Sequence, residues 1–347
     1  MSLLRQIVPR TMRHGISAQL ARVQAVGIER DLQAIARGTH TIVAGPWLGE
    51  VGFELLYWVP FLRWFSERFQ VDPERMLVVS RGGTSSWYRP FASGYREIFD
   101  YLSPAEFRQR HHERVAANGE QKQTRILAFE HNLLQQFTPD VRNRAMLHPA
   151  TMYRLFRPFW WGHVDESWVH RFTRYRRFEA PDGGPAGDGR SATQDLPYAQ
   201  DPPYVAVKFY FNDCFPATDI DRAFVRQAMH AYAERGPVVS LTTGLNIDDH
   251  GGADSPDSRV REALRDVAPR ENLLVQSAVV AGASRFVGTY GGFSYLAPFY
   301  GVPSTAYYAD PKGFSPRHLL MARSALALLG TPDLLDVRQA DACVTIP

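Results

Sequence analysis

The chain has 347 residues, 45% of them apolar, which excludes a disordered chain and allows two domain-sized cores. Its 39 basic and 36 acidic side chains leave a net charge of +3, too balanced to announce a nucleic-acid partner, and none is expected. Two cysteines, Cys214 and Cys343, stand far apart and outside any metal-ligand spacing. They argue against a disulfide framework and for a reducing compartment, the cytoplasm.

No apolar run approaches the roughly 20 residues needed to span a bilayer, and the N-terminus lacks the compact apolar core of a signal peptide. Residues 1–38 interleave Arg5, Arg10, Arg13, His14, Arg22 and Arg30 with Leu3, Leu4, Ile7, Val8, Met12, Ile16, Leu20, Val23 and Val26. That is a basic, amphipathic helical segment, interrupted at Pro9 and Gly15. Two readings stay open: a helix packed on the first domain, or a peripheral contact with an anionic membrane surface.

An α/β domain is expected over 39–178. Its strand candidates are Thr41–Ala44, Met76–Ser80 and Arg125–Phe129, each short and apolar as buried parallel strands are. The first runs into a glycine-punctuated loop, Gly45-Pro46-Trp47-Leu48-Gly49-Glu50-Val51-Gly52, which opens a helix with Phe53, Leu56, Tyr57, Phe61 and Trp64 on one face. Pro60 is expected to kink that helix or end its first segment. Amides at such a helix start attract anions, and a carboxylate in the same loop can instead act as a base.

Residues 131–178 read as helical, aromatic and basic, from Met152 and Tyr153 through Trp160, Trp161 and Trp168, with arginines interspersed. Helix packing around a cleft and acceptor binding are both open there. Glu179 to Pro203, rich in Pro, Gly and Asp, reads as a flexible linker. A second α/β domain over 204–347 offers strands at Tyr204–Phe211, Val238–Leu241, Leu273–Val275, Arg285–Gly288 and Ser304–Tyr307. Helices are expected at Arg222–Arg235, Ser258–Asp266 and Phe293–Tyr300.

Three places in the second half carry polar groups at strand ends. Lys208 closes an apolar strand, where a lysine must either pair with an acid or face an anion in a cleft, and Asn212 follows in the next loop. The loop after Leu241 holds Thr243, Asp249 and His250: a solvated loop, a set of contacts to a nucleotide's ribose or base, or donors to a divalent metal, although the spacing matches no standard metal motif. Tyr290-Gly291-Gly292-Phe293-Ser294 is a tight turn into a helix, with amides suited to a diphosphate, or glycines serving close strand–helix packing.

The order of these parts resembles glycosyltransferases of the GT-B fold, in which two Rossmann-like domains face each other across a cleft. Gly49-Glu50-Val51-Gly52, ahead of a helix containing Pro60, is similar to the Gly-Asp loop of heptosyltransferase-like enzymes, whose loop acid is the general base. Lys208 matches in kind and place the donor-phosphate lysine of those enzymes. Gly291 to Ser294, with Ala297 and Gly301-Val302-Pro303, is similar to the element that closes the donor site in heptosyltransferases and fucosyltransferase-like enzymes. Two departures stand out: the loop acid is Glu rather than Asp, and Lys208 replaces the arginine-centred phosphate motif of the fucosyltransferases.

The resemblance implies an inverting, metal-independent transfer from a nucleotide-sugar co-substrate, with no further cofactor, to a glycan or lipid-linked hydroxyl. Glu50 is then the base and Lys208 the phosphate ligand, with Glu54 a competitor for the base. Gly45, Trp47, Gly49, Gly52 and Arg81 would line the substrate site, Arg81 meeting an acidic acceptor or the donor phosphate. A sugar-nucleotide epimerase and a non-catalytic glycan-binding protein remain alternatives. An oxidoreductase does not fit, because Gly45, Gly49 and Gly52 lack the dinucleotide spacing and no acidic ribose ligand follows Met76 to Val79.

Overall fold

A computed structural model describes residues 10–119, 122–181, 203–245, 247, 251–252, 258–262, 264 and 266–340. The chain forms an α/β protein with two parallel sheets. The first sheet comprises β1 (Thr41–Ala44), β2 (Met76–Ser80), β3 (Gly94–Glu97) and β4 (Arg144–Leu147), in the order β3-β2-β1-β4. Every residue of β2 is buried, as a strand covered on both faces requires.

The second sheet orders its six strands β12-β11-β10-β5-β7-β9. These are β5 (Val205–Lys208), β7 (Val238–Ser240), β9 (Val260–Arg261), β10 (Arg285–Thr289), β11 (Ser304–Tyr308) and β12 (Leu335–Gln339). Two short segments, β6 (Tyr210–Phe211) and β8 (Gly251–Gly252), pair antiparallel beside it.

Chain order reverses once in each sheet. From β1 the chain steps outward to β2 and β3, then returns to place β4 on the other side of β1. From β5 it steps to β7 and β9, then returns to place β10 against β5. Open parallel sheets bind ligands outside the carboxyl ends of strands at such switch points. The loop 45–52 leaves β1, Lys208 ends β5, and Gly291-Gly292 follows β10, so all three lie at switch points.

Helices cover the sheets. α1 (Arg10–Arg37) packs on the first lobe through Ala21, Ala25, Ile28, Leu32 and Ala36. The helical run after loop 45–52 begins as α2 (Val51–Phe53), passes through a π-turn (Glu54–Trp58) and continues as α3 (Val59–Phe69). Pro60 neither ends nor breaks it. Pro60 has no N–H for the Leu56 carbonyl, which accepts instead from the Tyr175 hydroxyl at 2.8 Å.

Further helices of the first lobe are α4 (Ser85–Tyr88), α5 (Pro104–Asn118), α6 (Ala128–Phe137), α7 (Pro149–Trp160) and α8 (Ser167–Arg171). The second lobe has α9 (Asp219–Ala233), α10 (Asn272–Gly282), α11 (Gly292–Phe299) and α12 (Pro316–Leu328).

Three expected elements differ. Arg125–Phe129 is not a strand: from Ala128 it is α6, whose Leu133, Leu134 and Phe137 are buried at helical spacing, and β4 takes the place beside β1. Leu273–Val275 lies in α10, a helix apolar on most sides because it is buried between the lobes. Ser258–Asp266 is not a helix, since Val260–Arg261 pairs with β7. Of the linker expected at 179–203, residues 182–202 lie outside the described residues.

The lobes share one apolar core. Gly82 of the first lobe accepts from the Leu273 and Leu274 amides at 2.8 Å each, satisfying two orphan N–H groups at the start of α10. Gly52 and Gly292 meet backbone to backbone. A Cβ on Gly292 would lie 2.8 Å from the Gly52 nitrogen and 3.1 Å from the Val51 Cβ, so no side chain fits. Gly292→Ala is expected to cost about 1–3 kcal/mol of stability by overpacking this junction, measured by chemical denaturation. An unchanged midpoint would show that the junction relaxes freely.

Candidate functional site

The loop after β1 is anchored from beneath. Arg81, at the end of β2, donates to the Gly49 carbonyl at 2.7 Å and pairs with Glu54 at 3.4 Å. Glu54 also accepts from the Ser80 hydroxyl at 2.7 Å and from the Tyr88 hydroxyl. Burial pushes the Glu54 carboxyl above its ordinary range, against the pull of the Arg81 guanidinium and of the two hydroxyls.

This network corrects two sequence-based expectations. Glu54 is fully buried and Arg81 nearly so, and neither lines the cleft. Both hold the loop. Trp47 is also internal, stacked on Trp58 at 5.8 Å and on Tyr153 at 6.3 Å. Gly45 and Gly49 shape the loop beneath the surface without lining the cleft, whereas Glu50 and Gly52 line it. Glu50 is exposed at the N-cap of α2, and its carboxylate makes no capping bond.

On the second lobe, Lys208 lines the same cleft. Its ammonium donates to the Gln276 carboxamide oxygen and stands 3.8 Å from the centroid of the Phe293 ring. Gln276 is fixed in turn by donating to the Asn272 carbonyl at 2.9 Å and to its side-chain oxygen at 2.8 Å.

Tyr290, Gly291, Gly292 and Phe293 line the cleft beside Lys208. Gly291 has φ +153°, and a Cβ there would overlap the Tyr210 hydroxyl. Ser294 is fully buried and outside the cleft lining, a correction to its expected contact with substrate. Its hydroxyl donates to the Gly291 carbonyl at 2.7 Å and accepts from the Gly291 amide at 3.1 Å. The Gly291 amide is therefore used internally, and the amides left without intrahelical acceptors are those of the first turn, from Gly292 onward.

Asn212 and Thr243 also line the cleft. The Asn212 side-chain oxygen accepts from the Cys214 and Phe215 amides at 3.0 and 2.9 Å, so that atom is spent on shaping its own loop. Asp249 and His250 lie outside the described residues. Cys214 also faces the cleft, and burial pushes its thiol up to about 11, so it stays protonated and inert.

These residues enclose a cavity of about 920 Å3 between the lobes. Loop 45–52 and the Gly291-Gly292 turn are in direct contact. The two helix starts touch, because both contacting residues are glycine, and the cavity lies beside them. Several cleft groups are not marked in the sequence, among them Arg108 and His112, one turn apart on α5, and His318 of α12. Ser103-Pro104-Ala105-Glu106 forms a capping box that marks the start of α5 but not the face it turns to the cleft. Arg108 has no ion pair among the described residues.

The aromatic segment supports the cleft without lining it. Tyr153 and Trp160 pack on Phe53 at 6.1 and 5.6 Å, and Trp160 packs on Tyr57 at 5.2 Å. His318 of α12 reaches the cleft edge, its ring 4.7 Å from Phe53 and its Nδ1 2.8 Å from the Tyr57 hydroxyl. Burial, with the Lys122 ammonium nearby, pulls His318 down to about 3, so it is neutral at physiological pH.

Two parallel sheets with a cavity at both switch points define an α/β fold of two Rossmann-like lobes facing a cleft. No family model matches the sequence, nor does any curated protein. Among solved structures, the chain is similar to the E. coli heptosyltransferase WaaC with ADP, at 12% identity and a TM-score of 0.41, over 87% of this chain and 94% of that one. It is similar to a glycosyl transferase family 9 protein from Veillonella parvula, at 12% identity and a TM-score of 0.44, over 89% and 87%. The E. coli ADP-heptose LPS heptosyltransferase II gives 14% identity and a TM-score of 0.40, over 89% and 92%.

Two measurements test the supports of the site. Glu54→Ala leaves the buried Arg81 uncompensated and is expected to cost about 3–5 kcal/mol in denaturant unfolding; a loss near zero would mean that Arg81 finds another partner. His318 takes up its proton near 6.5 when unfolded but only near 3 when folded, so its contribution to stability is complete above 6.5 and lost as pH falls toward 3. His318→Phe is expected to flatten the acid-side loss of stability by up to about 1.4 kcal/mol per pH unit within that window. Parallel urea titrations of the two proteins at neutral and mildly acidic pH give the comparison, and equal slopes would refute the assignment.

Proposed function

We propose that this protein is a glycosyltransferase that moves a sugar from a nucleoside-diphosphate sugar to a hydroxyl of a glycan or lipid-linked acceptor. The observation that carries the proposal is the meeting of Glu50 and Lys208 in one cavity at the switch points of both sheets. One wall supplies a carboxylate on an exposed loop. The other supplies a cation and the unbonded amides of a helix start.

The chemistry follows from these groups. The Glu50 carboxylate takes the proton of the acceptor hydroxyl as its oxygen attacks the anomeric carbon from the face opposite the leaving group. The bond from that carbon to the diphosphate oxygen breaks, and configuration inverts. Lys208 and the first-turn amides of α11 receive the charge that builds on the departing diphosphate. No step in this route needs a metal ion. Arg108 and His112, on the first-lobe wall, contact the acceptor, and the protein works in the cytoplasm in polysaccharide or glycoconjugate synthesis.

Titration with ADP, UDP and GDP, followed by a panel of the corresponding nucleotide-sugars, tests the reading. Lys208→Ala is expected to weaken nucleoside-diphosphate binding by at least about tenfold. Glu50→Gln is expected to leave that binding intact while cutting turnover roughly 100-fold to 10,000-fold. Near wild-type turnover in Glu50→Gln would remove Glu50 as the base. No binding of any nucleoside diphosphate to the native protein would refute the proposal as a whole, and an altered free nucleotide-sugar released without acceptor would identify an epimerase.

A further inference from the structure

Helix α1 is apolar along two opposite stripes. One stripe, Ala21, Ala25, Ile28, Leu32 and Ala36, is buried against the first lobe. At 100° per residue, Ile16, Leu20, Val23 and Gly27 fall on the far side. There Ile16 is 56% exposed, Leu20 65% and Val23 72%, with Val26 at the margin 47% exposed. Four of the ten large apolar side chains exposed among the described residues lie on this helix. A helix needing only to pack on its own lobe has no use for the second stripe, which costs solubility.

Along the part of α1 that carries the stripe, residues 16–27, the charges have one sign. The first 28 residues hold four arginines, Arg5, Arg10, Arg13 and Arg22, and no aspartate or glutamate. Arg22 is exposed beside Val26 at the margin of the stripe, and the exposed Arg30 and Asp31 follow beyond its last residue. The first carboxylate, Glu29, is tied to Arg171 at 2.9 Å. An anionic lipid surface answers both the apolar stripe and the positive charge.

We infer that α1 docks the protein on an anionic membrane surface, with Ile16, Leu20 and Val23 entering the interface and Arg22 and Arg30 meeting lipid headgroups. The helix is about 42 Å long and already held by its buried stripe, so docking requires no folding of this segment. This inference is independent of the reaction proposed for the cleft.

Flotation of the full chain with vesicles of phosphatidylglycerol and phosphatidylcholine in equal parts, against vesicles of phosphatidylcholine alone, tests it. The native protein is expected to float with the anionic vesicles only, and less as salt is raised. The double variant Leu20→Glu, Val23→Glu is expected to lose on the order of a hundredfold in vesicle affinity, while its thermal midpoint and its nucleoside-diphosphate titration stay unchanged. Both positions are exposed, so the variant keeps its fold. Absence of binding to anionic vesicles, equal binding to neutral ones, or undiminished binding by the variant would overturn the inference. So would a dimer seen in sedimentation velocity that the variant abolishes, which would make a second copy the occupant.

Discussion

The contact of Gly52 with Gly292 is the constraint around which the site is arranged. Two helices, each starting at the carboxyl end of a strand, approach with their positive ends toward one point. Each end carries about half an elementary charge, and Lys208 adds a full one nearby. Left alone this arrangement is repulsive, and it suits an anion bound beside the junction. The absence of side chains at both glycines brings the helix starts close enough to act on the same ligand.

Holding two backbones so close requires support on both sides, and the polar core supplies it. On the first lobe, Arg81 ties the Gly49 carbonyl to Glu54, which Ser80 and Tyr88 hold in turn. Glu97 secures the neighbouring loop by accepting from the Gly82 and Gly83 amides at 2.9 and 2.8 Å. On the second lobe, Ser294 closes the first turn of α11 against Gly291. An unpaired charge buried in either place would cost more than the cleft contacts return, so every buried group in this network is matched.

Much of this was legible in the chain, and the failures have physical causes. Thr41–Ala44 and Met76–Ser80 were readable because short apolar runs followed by glycine or polar loops mark buried parallel strands. Arg125–Phe129 and Leu273–Val275 look the same locally, yet the first runs into a helix from Ala128 and the second lies within one, since short apolar runs fit either form. Glu50 and Lys208 were found because each follows a strand end that the sequence marks. Glu54 and Arg81 were misplaced for the same reason: polar groups beside glycine loops look like ligand contacts until Ser80 and Tyr88 are seen to satisfy them. Arg108 and His112 stayed hidden because no local pattern says which face of α5 meets the second lobe.

The position of α12 has a consequence for how the molecule comes into being. His318 bonds to Tyr57 across a sequence separation of 261 residues, Arg317 lies over the Phe159 ring at 5.7 Å, and Ser324 meets His170 at 2.6 Å. The first lobe's aromatic surface is therefore finished by a helix belonging to the far part of the chain. During synthesis that surface, with Phe53, Tyr57 and Trp160, waits uncovered until residues 316–328 emerge. Contacts of such separation form only after the far part of the chain has been made, so this surface is the last part of the first lobe to be covered.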